Sequence, residues 1–585
     1  MPISLSSRPR IAAVFFSTAI TLFIAGCHDG DGKGDPPATA RPNVLFILAD
    51  DLGYSDLGAY GSEIHTPNLD TLAAEGRLLM QHYSAQTCAP TRAMLMAGTD
   101  QHVTGISEQG GVAGSVLDYQ KGKPGYEGYL NERSLVLPQL LRDAGYHTYM
   151  AGKWNLGAEP AQRPNARGFE SSFALLNAYG YHWGRRGDTV LPAQDDSFIY
   201  TENDAPATLP GDAFSTDYFT DKLIQFIDQP RSDGQPFFAY AAYTAPHWPL
   251  LATDEFIDRY KGQYDVGYTV IRERRLARQK ELGLLPAALS PATLRPENEL
   301  PTWEQLGAEQ RQEQARRMEV YAAMVEQLDY NVGRLIQHLK QTGQYENTLI
   351  WFQSDNGAEG SSSGVAQSND THYDNSLANY GRYGSFIVYG SRWAEVSSTP
   401  LWLWKFTPAE GGISVPAIVR MPHQSSARAP VQQITAVQDV LPTLLELAGA
   451  ANPGSSYKGQ PVNPITGYSV LPVLDEKPQA IVRPQGTVFA GEQSNQRFVR
   501  KDEWKIARLN PPYGTGDWQL FNIADDRAER SDVAAANPDK LAELIQDWDA
   551  YVARFGVALP PESTADSAGG GVQPASIAAP DETTR

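Results

Sequence analysis

Only two of the 585 residues are cysteine, so no disulfide framework holds this chain and each thiol needs its own account. Histidine is scarce as well, ten in all, and no His/Cys cluster stands at ligand spacing, which argues against zinc. Positive charge is in deficit: 48 Lys and Arg face 68 Asp and Glu, a net charge of −20. That balance excludes nucleic acid and a polybasic membrane contact. Any anion site must be a local basic focus in an acidic body. No internal repeat is visible, and the apolar run near the N-terminus is too short to span a bilayer comfortably. The remainder is ordinary globular material, 41% hydrophobic and 20% charged, long enough for one large domain and a smaller one.

The N-terminal apolar run follows Arg8 and Arg10 and ends Ile24-Ala25-Gly26-Cys27. Residues 1–27 therefore read as a lipoprotein signal peptide closing in a pattern like a bacterial lipobox, with Cys27 as the acylated first mature residue. Arg8-Pro9-Arg10 is not a twin-arginine pair, so general export is expected. Residues 28–41, Gly/Asp/Pro-rich, read as a flexible tether. His28 rather than Asp at the second mature position favours the outer membrane. The expected place is a bacterial membrane facing the periplasm or the cell surface.

Residues 42–480 alternate strand and helix signals and predict an α/β fold, a large mixed, mostly parallel sheet flanked by helices. Residues 43–48, 147–151, 236–243, 348–352 and 417–420 are β-prone apolar runs of the kind buried on both faces. Met318, Tyr321, Val325, Leu328, Val332, Leu335 and Leu339 mark one face of a long helix. Residues 254–302, charged and Pro-containing, read as an irregular surface insertion. Residues 481–556 change to four short antiparallel pieces and a last helix, a small α+β domain, and 557–585 read as a disordered tail.

Polar sets follow several of the buried runs. Asp50-Asp51 and Asp355-Asn356 offer hard oxygen donors of the kind Ca²⁺ or Mg²⁺ takes. Lys153 stands in Gly152-Lys153-Trp154-Asn155-Leu156-Gly157, His247 in Ala245-Pro246-His247-Trp248, and Lys405 shortly before Glu410-Gly411-Gly412. In Cys88-Ala89-Pro90-Thr91-Arg92, Pro90 suits a first helical turn and Gly98 suits the helix end. Cys88 then lies at a helix N-terminus, where free N–H groups and the dipole favour an anion. A nucleophile there, with Arg92 one turn on, suits a negatively charged group.

The segment from Cys88 to Arg92 resembles the signature of the type I, formylglycine-dependent sulfatases; the resemblance covers residues 42 to 525, and the segment from Ser391 to Pro416 is most similar to bacterial arylsulfatases. The resemblance implies an alkaline-phosphatase/sulfatase-like fold. It implies a sulfuric ester hydrolase that cleaves aryl or alkyl sulfate monoesters to an alcohol or phenol plus inorganic sulfate. A maturation enzyme would oxidise Cys88 to 3-oxoalanine (Cα-formylglycine), whose hydrate attacks sulfur and forms a sulfated hemiacetal. Asp50, Asp51, Asp355 and Asn356 match the family's metal ligands, with Ca²⁺ ahead of Mg²⁺, and Asp355 is also placed to take a proton from the attacking hydroxyl. Lys153 and Lys405 match the sulfate-binding lysines, His247 the residue at the ester oxygen, and Arg92 the group that holds the formylglycine loop.

One position departs from the family pattern. Asn155 stands where the family usually has His, and an amide accepts no proton at neutral pH. Slow turnover, another group as base, or a sulfate-ester-binding lipoprotein that barely hydrolyses are the outcomes to separate. Phosphonate monoester or phosphodiester hydrolysis is the alternative chemistry on such a fold. Aromatics at Tyr179, Tyr181, Trp183, Tyr380, Tyr383, Trp393, Trp402 and Trp404 are expected as packing, with some walling a pocket for an aromatic leaving group.

Overall fold

In the computed structural model, strand β1 (Asn43–Ala49) sends alternate side chains into two separate cores. Leu45, Ile47 and Ala49 join one, and Val44, Phe46 and Leu48 join the other. A strand with an apolar period of one has to be covered on both faces, and helices do so here. Helices Ser215–Ile227 and Ala308–Gln341 lie on the first side. Helices Cys88–Ala97, Leu137–Asp143 and Val440–Leu447 lie on the second. The seven apolar positions expected on the long helix, Met318 to Leu339, are all buried.

The structure describes residues 41–561 except 111–115, 188–189, 230–232, 361–369 and 478. The signal segment with Cys27, the tether up to residue 40 and the tail from 562 lie outside the described residues. Among those described, no helix is long and apolar enough to cross a membrane.

Eleven strands make the main sheet. After β1 come β2 (Arg77–Tyr83), β3 (His147–Lys153), β4 (Ser171–Leu175), β5 (Tyr200–Glu202), β6 (Ala205–Ala207) and β7 (Phe237–Ala242). Then follow β8 (Thr348–Ser354), β9 (Ser414–Val415), β10 (Ala417–Arg420) and β11 (Val431–Ala436). The order is β11-β2-β10-β8-β1-β7-β3-β4-β5-β6, with β9 beside β2. Strands β8, β1, β7, β3 and β4 are parallel neighbours. Strand β10 is antiparallel to both β8 and β2, so β2 runs with β1. The carboxyl ends of β1, β2, β3, β7 and β8 therefore share one edge, where ligands sit in open α/β sheets.

Two expectations are corrected. Residues 254–302 are not irregular throughout, because Tyr268–Glu281 is a helix whose Tyr268, Ile271, Arg275 and Gln279 are buried. Arg275 gives the reason: its guanidinium lies 2.5 Å from Asp56 and 2.8 Å from Glu63, so a charged residue serves as a core position. The tail also begins later than residue 557, since Val557 and Ala558 are buried and the Ala558 N–H donates to the Tyr126 hydroxyl at 2.7 Å.

A small hairpin, β12 (Ser456–Tyr457) and β13 (Gln460–Pro461), precedes a four-stranded antiparallel sheet. Its strands are β14 (Val488–Gln493), β15 (Gln496–Lys501), β16 (Trp504–Arg508) and β17 (Trp518–Asn522), in that order. Helix Pro538–Phe555 packs Leu544, Trp548 and Tyr551 against it. The seam between this sheet and the rest is polar yet buried. Lys505 Nζ sits 2.9 Å from Glu410 and 2.8 Å from Glu529. The β14–β15 turn is held by Glu108, which accepts from the Ser494 N–H and hydroxyl at 2.8 and 2.9 Å.

Glu492, at the same turn, accepts from the Asn495 N–H at 2.7 Å, while its other oxygen is buried with no partner. Burial, with the Glu108 carboxylate second, pushes Glu492 up to about 8, and burial pushes Glu108 up to about 7. Both stay protonated in the folded chain at pH values where the unfolded chain has ionised them. The native state then binds more protons, so stability is fully present below about pH 4.5 and falls as pH rises to about 8. Glu492→Gln removes one such proton. In thermal scans the variant is expected to melt a few degrees above the wild type at about pH 9 and to match it at about pH 5; equal melting shifts at both pH values would contradict the assignment.

Candidate active site

Asp50 and Asp51 follow directly from the end of β1, and Asp355 and Asn356 from the end of β8. Registry between these strands pairs Ala49 with Ser354, so the two polar pairs emerge side by side. Lys153 is the last residue of β3, and His247 lies five residues past β7. Lys405 reaches the same edge on a loop tied to Ala358 by a 3.0 Å backbone hydrogen bond. Cys88 is the first residue of helix Cys88–Ala97, which ends at Gly98 in the left-handed region as its sequence required. All these residues are buried.

Backbone fit explains two glycines. Gly152, just before Lys153, has φ +121°, and a Cβ there would stand 1.8 Å from the Ala242 carbonyl. Gly357, just after Asn356, has the Gly411 carbonyl equally close. Larger residues would push apart the strands and loops that carry the polar groups.

The side chains interlock as ion pairs. Lys153 Nζ lies 2.7 and 2.9 Å from the two oxygens of Asp50. Lys405 Nζ lies 2.8 and 3.0 Å from those of Asp51, and 3.3 Å from Glu359. Arg92 gives two N–H groups to Asp355 Oδ2 at 2.8 and 3.1 Å and a third to the Lys153 carbonyl at 3.1 Å. Cys88 Sγ approaches Asp50 at 3.3 Å and Asp51 at 3.7 Å. Asn356 donates to Asp51 at 2.7 Å, while its Oδ1 is buried with no hydrogen-bond partner.

His247 Nδ1 meets the Trp248 carbonyl at 2.7 Å. A carbonyl only accepts, so this nitrogen carries the proton and Nε2 faces Asp51 at 3.4 Å. Burial pushes His247 down to about 3; Asp51 opposes this while Lys405 and Lys153 add to it. Burial alone would raise Asp51, but Lys405, His247 and Lys153 together hold it below the usual carboxylate range. Burial and the Asp50 carboxylate push Asp355 up to about 6 against Arg92 and Lys153. Burial, then Asp355, raise the Cys88 thiol well above its ordinary value.

The donor set fits a hard divalent cation. Asp50, Asp51, Asp355 and the orphaned Asn356 Oδ1 are buried oxygens at two adjoining strand ends, and an acceptor without a donor is what a cation satisfies. Asp50, Asp51, Cys88 and His247 also bring ligand atoms within 4.8 Å of one another. Asn155 is buried beside these groups with φ +56°, a left-handed position that Asn and His tolerate better than most residues.

Several contributing residues carried no signal in the sequence. Gln109 accepts from the Ala89 N–H at 2.9 Å and donates to Asn155 Oδ1 at 3.4 Å, joining Asn155 to the first turn of the Cys88 helix. The Thr87 hydroxyl does not cap that helix and instead pairs with the Gln493 amide at 2.7 and 3.0 Å. A closed ring of hydrogen bonds joins three segments. Phe406 N–H donates to Gln86 O at 2.9 Å, Gln86 Nε2 to Gln496 O at 3.2 Å, and Gln496 Nε2 to Phe406 O at 2.6 Å. The β14–β15 turn thus braces both the approach to Cys88 and the residue after Lys405. Of the aromatics, Trp393 and Trp404 are fully buried packing, and Tyr179 is the one stacked on His247, at 6.2 Å and 10°.

The sequence model described as Sulfatase matches residues 42–450. An uncharacterized sulfatase of Schizosaccharomyces pombe is 42% identical over 539 residues, 89% of this chain and 95% of the relative. An arylsulfatase of Klebsiella aerogenes is 38% identical over 469 residues, covering 79% and 97%. The crystal structure of Ps i-CgsB with k-i-k-neocarrahexaose shares the fold, with a TM-score of 0.60 and 24% identity over 87% of this chain and 92% of that one. Buried carboxylates, lysines and Cys88 at one sheet edge thus sit in a chain that belongs to the sulfatase family.

Proposed function

We propose that this sulfatase hydrolyses aryl or alkyl sulfate monoesters after Cys88 is oxidised to Cα-formylglycine, with a divalent cation, Ca²⁺ ahead of Mg²⁺, held by Asp50, Asp51, Asp355 and Asn356. The observation that carries this reading is the charge balance of the centre. Asp50, Asp51 and Asp355 offset Lys153, Lys405 and Arg92 one for one, and Glu359 adds a further acid beside Lys405. An anionic ester entering such a site needs positive charge that the side chains alone do not leave over. A cation held there would supply that charge, and the aldehyde hydrate would supply one oxygen to attack sulfur and a second hydroxyl whose deprotonation re-forms the aldehyde and expels sulfate.

The chain's own groups then have definite work. Lys153 and Lys405, freed from full pairing with the carboxylates, take the sulfate oxygens. Arg92, fixed by Asp355 and the Lys153 carbonyl, holds the first turn of the helix in place. Asp355, at the end of β8 and paired with Arg92, is the carboxylate we assign to accept a proton from the attacking hydroxyl. His247, its Nδ1–H held by the Trp248 carbonyl, turns Nε2 into the cluster beside Asp51, where protonation on entry of the anionic ester would let it donate to the leaving oxygen. The neutral, buried Cys88 thiol is a poor nucleophile as it stands, which supports its oxidation. A sulfate-ester-binding lipoprotein with weak turnover is the second reading, favoured by Asn155 alone. Export and a lipid anchor through Cys27 rest on residues 1–27.

The deciding assay compares 4-nitrophenyl sulfate with a 4-nitrophenyl phosphonate ester. Faster release from the sulfate, abolished by Cys88→Ala and by chelation and restored by Ca²⁺, is the expected result. Faster phosphonate cleavage, or full activity in Cys88→Ala, would overturn the proposal. Asn155→His is expected to raise steady-state turnover several-fold with KM unchanged. Gln493→Ala and Gln496→Ala should lower kcat roughly tenfold with KM within about twofold, since small misplacements of a reacting group carry large rate costs. Unchanged kcat in both would remove the bracing role of the turn.

A further inference from the structure

A cavity of about 330 Å³ opens beside the carboxyl edge of the sheet, outside the catalytic cluster. Trp183, Phe198 and Tyr200 give it aromatic walls, and Arg185, Gln194 and Asp195 give it polar ones. Strand registry fixes where it stands. Lys153 pairs with Leu175, Leu175 with Tyr200, and Tyr200 with Ala207, a single row across β3, β4, β5 and β6. Neighbouring strands lie about 4.8 Å apart, so Tyr200 stands roughly 10 Å from Lys153 along that row.

Rings connect the two places. Tyr179 lies parallel to the His247 imidazole and meets Phe198 edge-on at 5.1 Å and 72°. Both Tyr179 and Phe198 are only partly buried, and Phe198 also lines the cavity. The far wall is held in position. Arg186 covers the Trp183 ring at 4.4 Å and the Tyr383 ring at 4.8 Å. Gln194 donates to the Trp183 carbonyl at 2.8 Å and accepts from the Tyr383 hydroxyl at 3.3 Å. A preformed aromatic wall spends little ordering entropy when a ring stacks on it.

Size sets the occupant. A dry cavity of about 150 Å³ takes one benzene ring, so this one, at about 330 Å³, holds a distal ring with space to spare. We propose that the leaving alcohol is a polycyclic phenol, whose sulfated ring sits at His247 and whose distal ring enters the cavity between Trp183 and Phe198. A single phenol would end short of those walls. This inference rests on the sulfatase reading of the catalytic cluster and names the class of alcohol that cluster serves.

The test compares phenyl sulfate with 4-phenylphenyl sulfate in the matured, metal-loaded enzyme. The wild type is expected to favour the two-ring ester by about tenfold in kcat/KM, the scale of one or two aromatic contacts. Trp183→Ala and Phe198→Ala should each remove most of that preference while leaving phenyl sulfate within about twofold, and Trp183→Phe should keep it. Equal losses on both esters, or no preference in the wild type, would overturn the cavity's role. If neither ester is cleaved, the sulfatase reading fails separately. Calorimetric binding of 4-phenylphenol to the wild type and to Trp183→Ala then still decides the cavity: Trp183-dependent binding supports it, and no binding or Trp183-independent binding overturns it.

Discussion

Three carboxylates and three cationic side chains interlock, all buried, at the end of the sheet. Burial makes each of those charges expensive alone, and only mutual pairing makes the set tolerable. That constraint dictates the architecture around it. Each group has to arrive on a rigid element, because one misplaced partner would leave a buried charge uncompensated. Parallel strands β1, β3 and β8 supply Asp50, Asp51, Lys153 and Asp355 within a single register, and Arg92 locks the helix of Cys88 onto two of those strand ends. The same pairing that keeps the folded chain intact sets three carboxylates where the proposed cation would bind, and in that reading the lysines are released toward the anion.

Much of this was legible in the letters. The uninterrupted apolar runs of β1, β7 and β8 could be buried only on both faces, and the polar pairs behind them had to fall at the carboxyl edge. Strand β2 was not legible, because Arg77 to Tyr83 lacks β-branched residues and follows closely on a helix; its neighbours β9, β10 and β11 make it a strand. Helix Tyr268–Glu281 was hidden by its charges, since Arg275 counts as core only once Asp56 and Glu63 lie beside it. Gln109, Gln493 and Gln496 looked like any surface glutamines. Their meaning comes from contacts with residues up to several hundred positions away, which no local pattern carries.

The smaller C-terminal sheet changes character in this light. It looked like a separate domain from residue 481, yet it lies in one compact unit with the larger sheet. Its β14–β15 turn touches the loop before Cys88 and the loop after Lys405 through side-chain amides. Buried acids and Lys505 line the same seam. The sheet therefore closes the catalytic edge from behind, and the enzyme's two least similar parts meet where its geometry is most demanding.

The central claim is that position 88 works as an oxidised side chain and not as a thiol. Mass spectrometry of the peptide spanning Cys88, taken from enzyme that is actively releasing sulfate, tests it most directly. The account predicts a peptide lighter than the cysteine form and reactive toward a carbonyl-specific hydrazide. Fully active enzyme whose peptide carries an unmodified, alkylatable thiol would contradict it.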